Sequence, residues 1–327
     1  MYNQLKIFNQ QNIFLLLLVL MVVLGKIIPY QESYQKVFDL NAFINWGIAG
    51  IFLLYGLKLN IKEVKKDITN WRLHLLVQAA TFILFPLLVF LFYGISKDTT
   101  YYSLWLSIYF LASLPSTVSS SVVMVSIAKG NVTSAIFNAS VSGLIGIAMT
   151  PLLMGLFLNA NGAAEGQLGE IFYQLLLKVL LPIILGLLLN PLLKHFVEKY
   201  RNAIAQFDKL IILLIVYESF SEAFLERVFS SVATEVFLIL IISVLVLFFV
   251  IFNILDFITS KLNFSREDKI TAQFCGSKKS LVHGSLFVMI LGIPEEQKVF
   301  FLLPVMIYHS FQLFYVSWLA NRLAKTA

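Results

Sequence analysis

The sequence predicts an all-α membrane protein with ten transmembrane helices, arranged as two inverted repeats of five helices. Three observations lead to this prediction: the composition, the spacing of the charged loops and a weak internal repeat. Hydrophobic residues make up 59% of the 327 residues and charged residues only 13%, whereas a soluble chain carries about 25% charged residues. The first apolar run, residues 13–25, has a weak basic flank at Lys6 and no small-residue cleavage pattern. It therefore indicates a membrane span rather than a removed signal peptide.

Short polar loops divide the chain into apolar runs close to the ~20 residues that a bilayer requires. The predicted spans are residues 12–30, 41–58, 73–95, 102–128, 131–157, 168–191, 207–224, 233–259, 267–292 and 298–321. Cytoplasmic loops are enriched in Lys and Arg, and the loop 58–72 holds five such residues. With this loop in the cytoplasm, 16 of the 24 basic residues fall inside and 5 outside. This split predicts that both termini are cytoplasmic.

A weak repeat relates the two halves of the chain at a spacing near 162 residues. Leu24-Gly25 matches Leu185-Gly186, and the same offset places Pro115-Ser116-Thr117 over Ser277-Lys278-Lys279. The repeat predicts halves at residues 1–160 and 161–327. Because each half has an odd number of spans, the second is inverted relative to the first, as in many secondary transporters.

Two adjacent lysines, Lys278 and Lys279, lie inside the ninth predicted span. A charge at the centre of a bilayer costs at least ~2.5–3.5 kcal/mol, so it is retained only where protein or trapped water surrounds it. Small and polar neighbours, Ser277, Ser280 and His283 among them, predict a helix interrupted at membrane depth. Such interruptions are tolerated where the backbone lines a cavity.

The fourth span carries the matching irregularity, Pro115 followed by five hydroxyl residues in six positions: Ser116, Thr117, Ser119, Ser120 and Ser121. Proline removes a backbone donor and pushes the preceding residue out of helical geometry. The hydroxyls can satisfy the carbonyls that this frees, or coordinate a cation. Two broken helices at this depth present partial positive charge at N-termini, suited to a carboxylate or sulfate, and partial negative charge at C-termini, suited to a small cation.

The chain resembles the bile acid:sodium symporter superfamily, in its SBF-like bacterial branch related to human solute carrier family ten, member seven. The resemblance covers nearly the whole chain. The segments that carry it are Tyr55-Gly56-Leu57-Lys58, Leu114–Thr117 leading to Ser120-Ser121, Ala128–Asn131 and Phe274–Ser280. It implies a panel domain of spans 1, 2, 6 and 7 and a core domain of spans 3–5 and 8–10, with spans 4 and 9 crossing in the core. It also implies alternating access with an organic anion bound between the domains, and a bacterial inner-membrane location.

The sodium sites of the family match this chain only in part. Sodium-coupled members have a glutamate and a glutamine on either side of the ninth-span glycine, where this chain has Phe274 and Lys278. The fourth-span ligands fall near Ser120 and Ser121, which make a partial sodium site. The loss of a carboxylate and the gain of a cation argue against a two-sodium site, so either sodium or a proton remains open as the coupling ion.

Several roles are open for the lysines. The Lys278 ammonium can fill the space of a sodium ion, carry a coupled proton, or bind an anionic substrate as a point charge. Adjacent residues on a helix point ~100° apart, so the two lysines differ in role if the helix continues through them. The structural alternative is that one lysine pairs with a buried acid and only holds spans together.

The remaining polar residues are weaker candidates. Asn138 in span five joins the binding residues above, whereas Gln78 and Thr81 in span three, Glu218 in span seven and His309 in span ten rank below them. For His283 and His309, a structural hydrogen bond competes with a relay role. Glu218 and Glu222 lie one turn apart on one helix face.

No catalytic constellation competes with transport. The single cysteine excludes an intramolecular disulfide framework, the four histidines are dispersed, and no phosphate-binding loop or metal spacing is present. We therefore expect no enzyme, no cofactor and no resident metal. Because the basic residues lie in short loops, the net charge of +6 does not indicate nucleic-acid binding. The expectation is a transporter of an organic anion, and the alternatives are a non-transporting regulator or scaffold and a proton/cation antiporter.

Overall fold

Helices account for the architecture of the computed structural model, which describes residues 2–30, 38–58, 69–158, 173, 176–227 and 234–325. No strand occurs within these ranges. In chain order the α-helices are α1 (Tyr2–Ile27), α2 (Leu40–Lys58), α3 (Trp71–Ala79), α4 (Phe85–Phe90), α5 (Tyr93–Ser96), α6 (Tyr102–Ser113), α7 (Ser119–Ile127), α8 (Val132–Leu158), α9 (Leu181–Lys199), α10 (Arg201–Leu225), α11 (Thr234–Lys261), α12 (Arg266–Gly276), α13 (Leu281–Ile290) and α14 (Glu295–Lys325). Two π-helical turns, Ala80–Leu84 and Leu176–Leu180, precede α4 and α9.

Five helical stretches are long and apolar enough to cross a membrane: Leu40–Lys58, Trp71–Phe90, Val132–Leu158, Thr234–Lys261 and Gln297–Lys325. Shorter apolar stretches cover Leu16–Ile27, Tyr102–Ser113 and Leu177–Leu193. Helices suit these sequences because a helix satisfies all its backbone polar groups internally, where lipid offers no partner. The all-α membrane class is confirmed, whereas the count of ten spans and their inverted arrangement stay predictions.

The chain divides into two compact units. Unit 1 comprises Met1–Leu59, Ala163–Val232 and Ser285–Val299, and unit 2 comprises Asn60–Gly162, Ala233–Gly284 and Phe300–Ala327. Unit 1 contains α1, α2, α9 and α10, and unit 2 contains α3 to α8 together with α11 and α12.

In unit 1, helices α2 and α9 approach each other closely at Gly56 and Gly186. A Cβ atom built at Gly56 would lie 2.2 Å from the Ile183 carbonyl oxygen, and one at Gly186 would lie 2.1 Å from that of Leu53. Both positions therefore exclude any side chain. Small residues permit such backbone contact between membrane helices. Helix α1 packs along α10 in the same unit.

The predicted spans three and six differ from single α-helices. Span three (73–95) contains the turn Ala80–Leu84, after which Pro86 stands in the first turn of α4. The predicted span six (168–191) starts in a part of the chain outside the described residues, and its helix continues to Lys199. The predicted interruptions in spans four and nine are observed, between α6 and α7 and between α12 and α13.

Candidate substrate and ion site

The break in the fourth span begins where the sequence places proline. Leu114, the residue before Pro115, is extended at φ −73° and ψ 151°, as steric contact with the proline ring requires. Helix α7 starts again at Ser119. Gly146 of α8 lies against the break, because a Cβ there would be 2.7 Å from the Pro115 ring. Gly146 therefore permits close packing of α8 on the proline.

The breaks between α6 and α7 and between α12 and α13 lie against each other within unit 2. The Ser116 hydroxyl donates to the Cys275 carbonyl at 2.6 Å, and the Ser280 N–H donates to the Pro115 carbonyl at 2.9 Å. The Ser121 hydroxyl is 3.5 Å from the Phe274 carbonyl. Each helix break thus supplies hydrogen-bond donors for backbone carbonyls that the other break leaves without helical partners.

Lys279 is enclosed by carbonyl oxygens. Its side chain is 0% exposed, and its Nζ donates to the carbonyls of Thr81, Ala112 and Leu114 at 2.8, 2.6 and 2.7 Å. The same Nζ lies 4.1 Å from the centre of the Phe85 ring, a cation–π distance. An ammonium has three donors, and all three are used. Lys279 therefore holds spans together, through carbonyls and not through a buried acid as the sequence suggested.

The Thr81 carbonyl is available because of the π-helical turn. Within that turn the Phe85 N–H donates to the Ala80 carbonyl, one residue further back than in an α-helix. The N–H that would next reach Thr81 belongs to residue 86, which is proline and has no N–H. Ala112 and Leu114 are free for a related reason, since they stand at the C-terminus of α6, where carbonyls lack helical donors and a cation is favoured by the helix dipole.

Lys278 has fewer hydrogen-bond acceptors around its ammonium than Lys279. It is also 0% exposed, but the described contact of its Nζ is one hydrogen bond, to the Ser120 carbonyl at 3.0 Å. Two of its three donor positions are therefore left over. The two lysines thus have different surroundings, and they lie in the break between α12 and α13, not on the continuous helix from which the sequence argued a difference of role.

The fourth-span hydroxyls beside Lys278 pair with one another. The Thr117 hydroxyl is 2.9 Å from that of Ser121 and accepts from that of Ser120 at 2.8 Å. All three side chains are buried. Ser119 begins α7, but its side chain lies outside the described part of the chain. The candidate sodium ligands Ser120 and Ser121 thus lie close together. The carbonyl of Ser120 also accepts the hydrogen bond from the Lys278 ammonium.

The other ninth-span candidates are bound into the break itself. The Ser277 hydroxyl donates to the Gln273 carbonyl at 2.6 Å. The Ser280 hydroxyl accepts from the His283 N–H at 3.3 Å, which caps α13, and lies 2.9 Å from His283 Nδ1. In span ten, His309 Nδ1 is 2.9 Å from Gln312 Nε2.

Sequence reasoning missed Gln312 and Tyr308 of α14, which support the ninth-span break. The Gln312 amide accepts from the Lys279 N–H at 2.8 Å and donates to the Lys279 carbonyl at 2.7 Å. The Tyr308 hydroxyl donates to the Ser277 carbonyl at 2.5 Å. A signal was present, because these two residues and His309 make a polar patch one turn long in an otherwise apolar span.

Three further candidates of unit 2 have side chains that hydrogen-bond to groups other than Lys278 and the fourth-span hydroxyls: Gln78, Thr81 and Asn138. The Gln78 amide nitrogen is 3.2 Å from both the carbonyl and the side-chain oxygen of Asn138, and its Oε1 is buried without a hydrogen-bond partner. The Asn138 amide nitrogen contacts His74 Nδ1 at 3.0 Å and donates to the Ser134 carbonyl at 2.9 Å. The Thr81 hydroxyl donates to the Val77 carbonyl at 2.8 Å, so Thr81 serves the lysine through its backbone.

Glu218 belongs to unit 1, and its charged neighbours are not the lysine pair of unit 2. It is 6% exposed, and its Oε2 is buried with no hydrogen-bond partner among the residues that the structure describes. Lys298 and Glu295 are its electrostatic neighbours, and the Lys298 ammonium pairs with Glu295. Glu222, one turn after Glu218, also has Glu295 as an electrostatic neighbour. Lys298 is itself buried, at 5% exposed.

Comparison with known proteins gives consistent matches over this chain. The model of the SBF-like CPA transporter family matches residues 12–325. YfeH of Escherichia coli (strain K12) is 36% identical over 322 residues, covering 97% of this chain and 94% of that protein. Sodium/bile acid cotransporter 7 of Mus musculus is 30% identical over 272 residues, covering 81% of this chain and 78% of that protein. Sodium/bile acid cotransporter 7-A of Xenopus laevis is 29% identical over 273 residues.

These matches extend across the helix breaks, the lysine pair and the apolar helices. They confirm the resemblance to the bile acid:sodium symporter superfamily that Leu114–Thr117 and Phe274–Ser280 carry. The protein is an integral membrane transporter of the bile acid:sodium symporter type, and its chain belongs to the SBF-like CPA transporter family.

Proposed function

We propose that the protein is a secondary transporter that moves an organic anion by alternating access, and that the Lys278 ammonium stands in for a sodium ion. The observation that carries the proposal is that two equally buried lysines donate different numbers of hydrogen bonds. Lys279 donates to three carbonyls, whereas Lys278 donates to one. The ammonium of Lys278 keeps donors for a ligand, and that of Lys279 keeps none.

An anionic group is the ligand that suits this position. A carboxylate or sulfate accepts hydrogen bonds and offsets the desolvation of a buried ammonium. Helix α13 begins three residues after Lys278, at Leu281, and α7 begins at Ser119, next to the Ser120 carbonyl that accepts from Lys278. Helix N-termini favour negative charge. The names of the vertebrate relatives include bile acid, an organic anion, which makes a bile acid a rational first probe.

Sodium coupling is disfavoured by the same ammonium. The oxygens that would serve as fourth-span ligands belong to Thr117, Ser120 and Ser121, whose hydroxyls already pair with each other. The Ser120 carbonyl is 3.0 Å from Lys278 Nζ, so a cation bound to this residue would face a like charge at short range. The proposal therefore includes transport without sodium, although the vertebrate relatives carry sodium in their names.

Uptake into proteoliposomes tests the proposal. Radiolabelled cholate is offered at fixed pH with either sodium or choline outside, and with or without an inward proton gradient. We expect equal uptake in sodium and choline, and a loss of at least about tenfold (1.4 kcal/mol) in Lys278→Met. Lys261→Met is the matched control, because Lys261 is an exposed lysine in the last turn of α11, and it should transport normally.

Three outcomes separate the alternatives. Loss of wild-type uptake when choline replaces sodium contradicts the role given to Lys278. Normal uptake by a well-folded Lys278→Met protein contradicts anion binding at that residue. A wild-type protein that moves no organic anion under any gradient supports a non-transporting regulator or scaffold instead.

Proton/cation antiport is a second candidate, favoured by Glu218 in unit 1. A carboxylate that is 6% exposed and has an oxygen without a partner is stabilised by binding a proton or a cation. If antiport is the function, a sodium or potassium gradient changes the pH inside liposomes that contain a pH dye. Glu218→Gln abolishes that change, while Lys261→Met leaves it intact. A wild-type protein that moves no protons under either gradient excludes this candidate.

A further inference from the structure

Unit 1 contains an apolar groove that the transport site does not use. It has a volume of about 450 Å³, within the ~300–1,000 Å³ of small-molecule sites. Helices α2, α9 and α10 form it, with lining residues that include Leu53, Leu54, Phe196, Tyr200, Ile204 and Phe207. Leu57, Val197 and Ile204 are buried beside it in a hydrophobic cluster, against which Leu53 and Leu54 pack.

The shape of the groove follows from its residues. Gly50 faces it without a side chain, and a Cβ there would already meet the Phe207 ring at 3.4 Å. The rings of Phe196 and Tyr200 stand 4.6 Å apart between centroids and form one wall. Both rings are exposed, at 54% and 42%. An open apolar groove of this size between membrane helices has room for an acyl chain.

Basic side chains stand at the end of the same three helices. Lys199 is exposed, and its Nζ lies 5.3 Å from the centroid of the Tyr200 ring that lines the groove. Lys58 follows Leu54 by one helical turn, about 6 Å at 1.5 Å per residue, and pairs with Asp208 at 2.9 Å. The groove therefore combines an apolar interior with the positive charge of Lys199 at its edge. Among the described residues, no carboxylate forms an ion pair with Lys199.

We propose that this groove binds an anionic phospholipid, with one acyl chain along Leu53, Ile204 and Phe207 and the phosphate at Lys199. The lysines lie at helix ends that the charge distribution assigns to the cytoplasm, and the cytoplasmic leaflet is the one with the negative surface potential. Basic pockets between membrane helices on this side bind acidic head groups. A zwitterionic lipid lacks the net charge and binds less tightly.

Binding of defined lipids to the purified full chain tests the site. Palmitoyl-oleoyl phosphatidylglycerol and the matching phosphatidylcholine are added to delipidated protein in detergent, and binding is followed by native mass spectrometry and by the shift in Tm. We expect the phosphatidylglycerol to bind and raise Tm more than the phosphatidylcholine. Lys199→Gln should weaken that binding about fivefold, the equivalent of about 1 kcal/mol for one basic residue near the surface.

A second variant tests the groove itself. Ala203 is an exposed residue of α10 that lines the groove. Ala203→Phe should fill the groove and abolish the preference for phosphatidylglycerol. Matched controls are Lys261→Gln, whose ammonium lies 5.7 Å from the Phe257 ring centroid, and Ile242→Phe, an exposed position on α11. Both should bind the lipid like the wild type.

Three results would overturn the proposal: equal binding of the two lipids, unchanged binding in both groove variants, or a dimer that Ala203→Phe dissociates. The last would show that a second copy of the chain occupies the groove. Because cholate uptake is not used here, failure of the lipid site is distinguishable from failure of the transport proposal.

Discussion

Lys278 and Lys279 are neighbours in sequence, equally buried, and different in every contact. Lys279 binds three carbonyls and the Phe85 ring, whereas among the described residues Lys278 binds the Ser120 carbonyl and no other acceptor. The difference arises in other segments, since the π-helical turn and the end of α6 expose carbonyls only toward Lys279. Equal burial therefore does not mean equal stabilisation, because the number of hydrogen-bond acceptors around a buried ammonium differs between adjacent residues.

The largest expected effect comes from Lys279→Met. This change leaves the carbonyls of Thr81, Ala112 and Leu114 without their donor, and each buried acceptor left unsatisfied costs about 1–3 kcal/mol. We expect a loss of folded protein or a large fall in Tm in detergent. Lys278→Met is the control, with a small change in Tm in either direction, because it removes one hydrogen bond and one desolvated charge. Equal Tm values for the two variants would remove the distinction between the lysines.

A smaller effect is expected at Pro86. Pro86→Ala supplies an N–H to α4 that can reach the Thr81 carbonyl, so the loss of Lys279 should cost less in its presence. A double-mutant cycle on Tm and unfolding free energy should give a coupling of about 1 kcal/mol, within the range for residues that share a partner. Additive effects would show that the proline does not expose the Thr81 carbonyl to the lysine.

The smallest expected effect separates the two hydroxyls that join the breaks. Ser116→Ala removes a hydrogen bond of 2.6 Å to the Cys275 carbonyl and should lower the unfolding free energy by about 1 kcal/mol. In a Thr117→Val background, which already removes the 2.9 Å pairing of the Ser121 hydroxyl with Thr117, Ser121→Ala removes the 3.5 Å contact to the Phe274 carbonyl. That contact lies at the limit of hydrogen-bond geometry, so its loss should change the unfolding free energy by less than about 0.5 kcal/mol. A larger loss at Ser121 would reverse the assigned importance of the two contacts.

The sequence was sufficient for the features that depend on local chemistry. Apolar runs predicted the helices, and Pro115 and the polar residues around Lys278 predicted the two breaks. It did not reveal which carbonyls surround each lysine, because Thr81 and Ala112 lie more than 160 residues away and become available through backbone geometry. It also missed Gln312 and Tyr308, whose contacts depend on the register of α14 against the ninth-span break.

The acceptors of Lys279 have a further consequence for the order of biosynthesis. Thr81, Ala112 and Leu114 all precede Lys279 in the chain, and membrane helices enter the bilayer from the N-terminus onward as the protein is made. The oxygens that receive the ammonium therefore exist before the ribosome has synthesised it. The segment that carries Lys279 therefore enters the membrane after the segments that supply its acceptors, and a chain that lacks residues 81–114 would leave the Lys279 ammonium without these three carbonyls.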